Sequence, residues 1–246
     1  MNSTILNLIS RMSDDSYRAG ELSVEGLFES SKTISSEAYE EVRHLNKKEL
    51  LVDLYSLLDI ESDDTKRHQA YFIIGNIAKN SNDLEATKYL VAALAKEKDK
   101  NILVVILSLV AELFKPLSID LSPIYKLTSS RNWHVRGLSY EALTNTENKV
   151  EDFLIEKLKE TENKTDIQYL LFAIQNVATK KSLPVVEPYL KNRKPDIKST
   201  ACNVIALIMI REGFSNIEIA KKLKLPTPSI LIETFRERLS LLTKPG

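Results

Sequence analysis

One apolar pattern returns five times along this chain and restricts what the chain can fold into. Take Arg67, Leu103, Arg136, Ile167 and Lys198 as reference points, spaced 36, 33, 31 and 31 residues apart. Six and seven places after them stand Ile73 and Ile74, Leu109 and Val110, Ala142 and Leu143, Ala173 and Ile174, and Val204 and Ile205. Three places on come Ala70, Ile106, Ser139, Leu170 and Ala201; ten places on come Ile77, Leu113, Thr146, Val177 and Ile208. Offsets of three, six, seven and ten share one side of a helix. Eighteen of these twenty positions are apolar, where a composition 43% hydrophobic gives about nine by chance.

A second helix precedes each of these. Leu58, Leu94, Leu127 and Leu158 each sit nine residues before their reference point, and Leu190 sits eight before Lys198. Leu54, Leu90 and Leu154 stand one turn earlier on the same face. Each unit therefore reads as helix A, a polar turn ("ESDDT", "KEKDKN", "SSRN", "TENKTD", "NRKPD") and helix B. A scarcity of turn formers, six glycines and eight prolines, also favours helices over sheet. A lone pair of such helices cannot cover its own apolar stripe, whereas stacked neighbours can. The units fall at residues 46–80, 82–116, 118–146, 147–179 and 181–212. Helices within 1–45 and a divergent pair within 213–246 cap the two ends of what is expected to be one continuous domain.

The B-helix stretches "DTKRHQAYFIIGNIA", "HVRGLSYEAL" and "DIKSTACNVIALI" resemble HEAT repeats and the related armadillo repeats over residues 46–212. The resemblance implies an all-α, right-handed α-α superhelix, a HEAT-like solenoid of about five helix pairs. Leu103 and Ile167 depart from it, standing where that family often has a basic residue. It also implies that the B helices line a concave surface open to partners. On these helices the offsets five and nine turn away from the apolar stripe: Phe72/Asn76, Ser108/Glu112, Glu141/Asn145, Phe172/Asn176 and Asn203/Leu207.

"YFIIGNIAKN" and "LFAIQNVATK", one hundred residues apart, are similar to the armadillo pattern of an aromatic one turn before an asparagine. In that family the amide bonds to an extended peptide's backbone, for which it carries both a donor and an acceptor. Here phenylalanine replaces the usual tryptophan, and the intervening units interrupt the ladder. The asparagines also suit plain helix-end bonding. The candidate partner contacts are Phe72, Asn76, Glu112, Glu141, Asn145, Phe172 and Asn176.

The expected function is a non-enzymatic protein- or peptide-binding scaffold or adaptor. The alternative is a nucleic-acid-binding HEAT-like protein. "RNWHVRG" is similar to a Trp-x-x-Arg element of the HEAT-like DNA-alkylation-repair glycosylases, which would give Trp133 and Arg136 contacts to nucleic acid. No aspartate matches that family's catalytic position, and a formal net charge of zero suits phosphate neutralisation poorly. Read structurally, Asn132 is instead a helix N-cap, Leu138, Ala142 and Leu143 are core, and Trp133 covers the junction with the preceding A helix. "FSNIEIAKKLKLPTPSILIETFRERL" looks loosely like a helix-turn-helix, although Lys224 stands where such a turn favours glycine.

Other chemistry is not indicated. His44, His68 and His134 lie on different units without ligand spacing, so no metal is expected, and no glycine loop for a phosphate or cofactor occurs. The single cysteine, Cys202, reads as a buried small hydrophobe in a reducing, cytoplasmic setting. The N-terminal "MNSTILNLISRMSDD" lacks a signal-peptide pattern and reads as a docking helix. The longest apolar run, "ILVVILSLVA", is too short to cross a bilayer. Charge is uneven: residues 1–65 carry six Lys/Arg against fourteen Asp/Glu, a net of −8, leaving +8 on the remainder.

Overall fold

The computed structural model describes residues 2–19, 29–226 and 229–242. Among these the chain is all-α, with two isolated bridges and no strand. It divides into two compact units, Met1–Glu147 and Asn148–Gly246. The first holds α1 (Ser3–Met12), α2 (Ile34–Arg43), α3 (Leu51–Ile60), α4 (Asp64–Ser81), α5 (Leu84–Ala93), α6 (Lys100–Glu112), α7 (Ser122–Leu127) and α8 (Trp133–Ala142). The second holds α9 (Glu151–Glu160), α10 (Lys164–Val177), α11 (Leu183–Val186), α12 (Pro195–Arg211), α13 (Asn216–Leu223) and α14 (Ile230–Leu242).

The polar turns start the B helices by one mechanism. A helix leaves its first four N–H groups without partners, and a short polar side chain just before it can accept from them. Asp63 accepts from the Lys66 amide ahead of α4, and Asp99 accepts from Asn101 and Ile102 ahead of α6. Asn132 accepts from His134 and Val135 at α8, and Asn163 accepts from Thr165 and Asp166 at α10. The fifth such helix, α12, uses Pro195 in its first turn, where the missing N–H costs nothing.

In the first unit α4, α6 and α8 pack side by side, α3, α5 and α7 each pack on their own partner, and α2 covers the outer side of α4. In the second, α10 packs on α12, α9 on α10, and α13 and α14 both lie against α12. This is the all-α stacking of helix pairs that the repeat requires. Seventeen of the twenty seam positions are buried; Leu109, Thr146 and Val177 are half-buried. Ile74, Val110, Leu143, Ile174 and Ile205 have no exposed surface at all. Leu138, expected in the core, is half-buried instead.

Two local features modify the pattern. At Gly75 in α4, a Cβ would lie 2.5 Å from Leu109 Cδ1, so the missing side chain is what lets the α6 leucine approach this closely. The A element of the fifth pair is not one helix but a 3₁₀ turn (Lys180–Ser182), the four-residue α11 and a second 3₁₀ segment (Glu187–Lys191). Pro184 and Pro188 supply no N–H, and each stands in the first turn of its own short segment, where that N–H needs no helix partner, so they divide a run whose apolar spacing reads as helix.

Leu143→Ala is expected to cost about 2–5 kcal/mol, because it empties a fully buried site. Asn132→Ala should cost only about 1 kcal/mol, the worth of an N-cap. Urea unfolding of both variants checks the two values, and a neutral Leu143→Ala would refute the register.

Candidate functional site

In the first unit the candidate contacts divide by burial. Asn76 is only 6% exposed, and its Nδ2 donates to the Phe72 carbonyl of its own helix at 2.8 Å. Phe72 is half-buried, edge-on to Tyr39 with ring centroids 5.2 Å apart. This aromatic–amide pair is therefore built into the packing beneath α2 rather than presented to a partner.

Glu112 and Asn145 are brought together, but through the backbone. Asn145 has φ of 52°, the left-handed region that asparagine tolerates better than most residues. From there its Nδ2 donates to the Glu112 carbonyl at 2.9 Å, while its own carbonyl accepts from the Lys115 amide at 3.0 Å. The exposed Glu112 carboxylate pairs with Lys79 of α4. Asn145 thus closes the end of α6, the helix-end role that its residue type also allowed.

Glu141 behaves differently. Its side chain is half-buried, burial pushes its carboxyl pKa above the usual range, and it has no hydrogen-bond or ion-pair partner among the described residues. A carboxylate held this way gains from a donor or cation that arrives from outside.

The cluster at the start of α8 is mostly structural. The Arg136 guanidinium donates to the Ser130 carbonyl at 2.6 Å and so ties the A–B turn shut. Arg67, at the equivalent repeat position, does the same to Leu58 and Glu61 and also pairs with Glu97. Trp133 differs from expectation. It is 53% exposed and stacks on His134 with centroids 5.0 Å apart, so much of its ring faces solvent rather than a helix junction.

In the second unit the other aromatic–amide pair is open. Phe172 on α10 is 42% exposed. Asn176, one turn on, is also exposed, and among the described residues its side chain makes only a long 3.4 Å contact to the Phe172 carbonyl. The two "FxxxN" stretches are thus alike in sequence and opposite in accessibility.

Two features had no signal in the repeat pattern. Lys115, in the α6–α7 connection, is completely buried; its Nζ donates to the Val110 carbonyl at 2.7 Å and the Leu113 carbonyl at 2.6 Å. Desolvation draws its pKa down from 10.5 to about 7. A neutral amine has two N–H groups, which these carbonyls satisfy, whereas the ammonium form leaves a third donor buried. The second feature is a lysine-edged trough in the second unit that includes Cys202, a residue expected to be buried and found half-buried. Burial raises the pKa of that thiol, which makes it less reactive. Among the described residues no cluster of three or more His, Cys, Asp or Glu could hold a metal ion, and no helix is long and apolar enough to cross a membrane.

No family profile matches the chain, and no curated protein matches it. Among solved structures it is similar to a designed armadillo repeat protein, at 14% identity over 83% of this chain and 99% of the other, with a TM-score of 0.48.

Between pH 7 and 10.5 the unfolded chain holds a proton on Lys115 that the folded chain has released, so this residue makes stability rise with pH across that window. Below about pH 7 the full cost of burying the charge remains. Lys115→Met, whatever its absolute stability, should show a flatter profile over the window than the parent. Urea midpoints measured at intervals of pH provide the check, and parallel profiles would count against a neutral buried amine.

Proposed function

We propose that the chain is a non-enzymatic scaffold that binds an extended peptide or a segment of another protein on the exposed side of its B helices. The observation carrying this reading is the solvent-facing Phe172–Asn176 pair on α10. Covering the part of this ring that still faces water is worth about 1 kcal/mol. The neighbouring primary amide supplies the donor and acceptor that an extended backbone needs. Taken by itself, the first unit offers the Glu141 carboxylate on α8, unpartnered among the described residues, which suits a basic side chain or a backbone N–H. Asn76 is left out of the contact set, because its amide is already used and covered.

The reading places the protein in the cytoplasm, where the lone Cys202 stays a thiol. A nucleic-acid reading centred on Trp133 and Arg136 draws less support, since the Arg136 guanidinium already closes its own turn.

The combined variant Phe172→Ala, Asn176→Ala should abolish capture of partners by the purified protein from its native host. Its thermal midpoint should stay within about 2–4 °C of the parent, as expected for exposed positions. Asn76→Ala should instead lower the midpoint, because it removes a buried hydrogen bond. Undiminished capture by the double variant would defeat the reading. So would tight, steeply salt-dependent binding of duplex DNA that is lost on Arg136→Ala.

A further inference from the structure

The second unit contains a trough of about 1100 Å³, between the broken A element of the fifth pair, one face of α12, and α13 with the start of α14. Its walls carry two kinds of side chain. Half-buried leucines, Leu190, Leu223, Leu225 and Leu231, give it an apolar lining. Lys191, Lys198 and Lys224 are exposed along its edge and have no carboxylate partner among the described residues. The one carboxylate among the described lining residues, Glu187, is already paired at 2.7 Å with a fourth lysine, Lys222. That pair joins the A element to α13 and so holds the two sides of the trough together. Three uncompensated positive charges therefore surround an apolar floor.

We propose that this trough is a docking site for an acidic peptide segment bearing leucine- or phenylalanine-sized side chains. The apolar side chains would cover the leucines, and the carboxylates would meet Lys191, Lys198 and Lys224. The volume lies at or above the top of the roughly 300–1,000 Å³ range of small-ligand clefts, which suits several side chains better than one small molecule. An inorganic anion would leave the leucines wet. A nucleic acid strand would find no aromatic side chain among the described lining residues on which to stack a base. Charge complementarity thus selects the sign of the partner, and the floor selects its apolar content. The site is separate from the Phe172–Asn176 pair and does not depend on it.

The test uses the full chain and a fluorescein-labelled glutamate–leucine peptide, read by anisotropy. Controls are a lysine–leucine peptide, a glutamate–serine peptide and phosphatidylserine vesicles. Only the glutamate–leucine peptide should bind, more weakly as salt rises. Lys198→Glu with Lys224→Glu should weaken it on the order of ten-fold. Cys202 is the chain's only thiol and lies in the trough wall, so bound peptide should slow its reaction with a disulfide reagent in the parent protein. That readout locates the peptide even if the charge-reversed variant does not fold. Phe172→Ala with Asn176→Ala should leave the affinity for this probe unchanged, which separates failure here from failure of the scaffold reading. Absence of binding, equal binding of either control peptide, capture of the vesicles in place of the peptide, an unaffected Lys198/Lys224 variant or an unprotected Cys202 would each overturn the proposal.

Discussion

The structure depends on the need of each B helix to cover an apolar seam that its own A helix cannot reach. The seam residues at offset seven are all fully buried, and each is worth about 1.5–3 kcal/mol relative to exposure when the side chain is Val, Leu or Ile. That gain is realised only when the next B helix lies alongside, as α6 does on α4 and α8 on α6 in the first unit, and α12 on α10 in the second. Stability built this way is a sum of neighbour contacts. It tolerates irregular A elements, such as the proline-broken run around α11, provided that the B helices remain intact.

Polar groups finish what the apolar seam starts. Arg67 and Arg136, at the same position of the first and third repeats, each place a guanidinium on carbonyls at the end of an A helix or in its turn. Asn145 and Lys115 do comparable work at the end of α6, donating to the Glu112 and Leu113 carbonyls and adding a second donor to that of Val110. This explains why residues of types common in binding sites, an arginine beside a tryptophan or an asparagine at a helix end, here serve the scaffold. The types are the same in both roles because the chemistry is the same: a donor meets a carbonyl. What differs is whether that carbonyl belongs to this chain or to a guest.

Accessibility then decides which surfaces remain for a partner. Phe72 and Asn76 lie beneath α2, whereas Phe172 and Asn176 face solvent. The trough beside α12 is walled on one side by the broken fifth A element, with Pro184 and Pro188 in its lining. An irregularity in the repeat and a candidate binding surface therefore fall at the same place.

The B helices, their capped starts and their buried face were legible in the sequence, because an apolar period and an Asp or Asn before a helix act over a few residues and leave their mark there. Ile74, Val110 and Leu143 could be placed by counting alone. The broken A element was legible in part, since Pro184 and Pro188 are visible although the leucine spacing argued for a helix. The fates of the two "FxxxN" stretches were not legible. Nothing local separates Asn76 from Asn176; what buries the first is α2, which lies far from it along the chain. Nor could the pattern mark Lys115 as buried or draw Lys191, Lys198 and Lys224 around one trough. By itself the sequence determined the helices and the side of each that shuns water, because those follow from neighbours within a turn or two. The tertiary structure alone decided which polar and aromatic groups stay open to a partner, because exposure is set by residues distant in sequence that happen to pack on top.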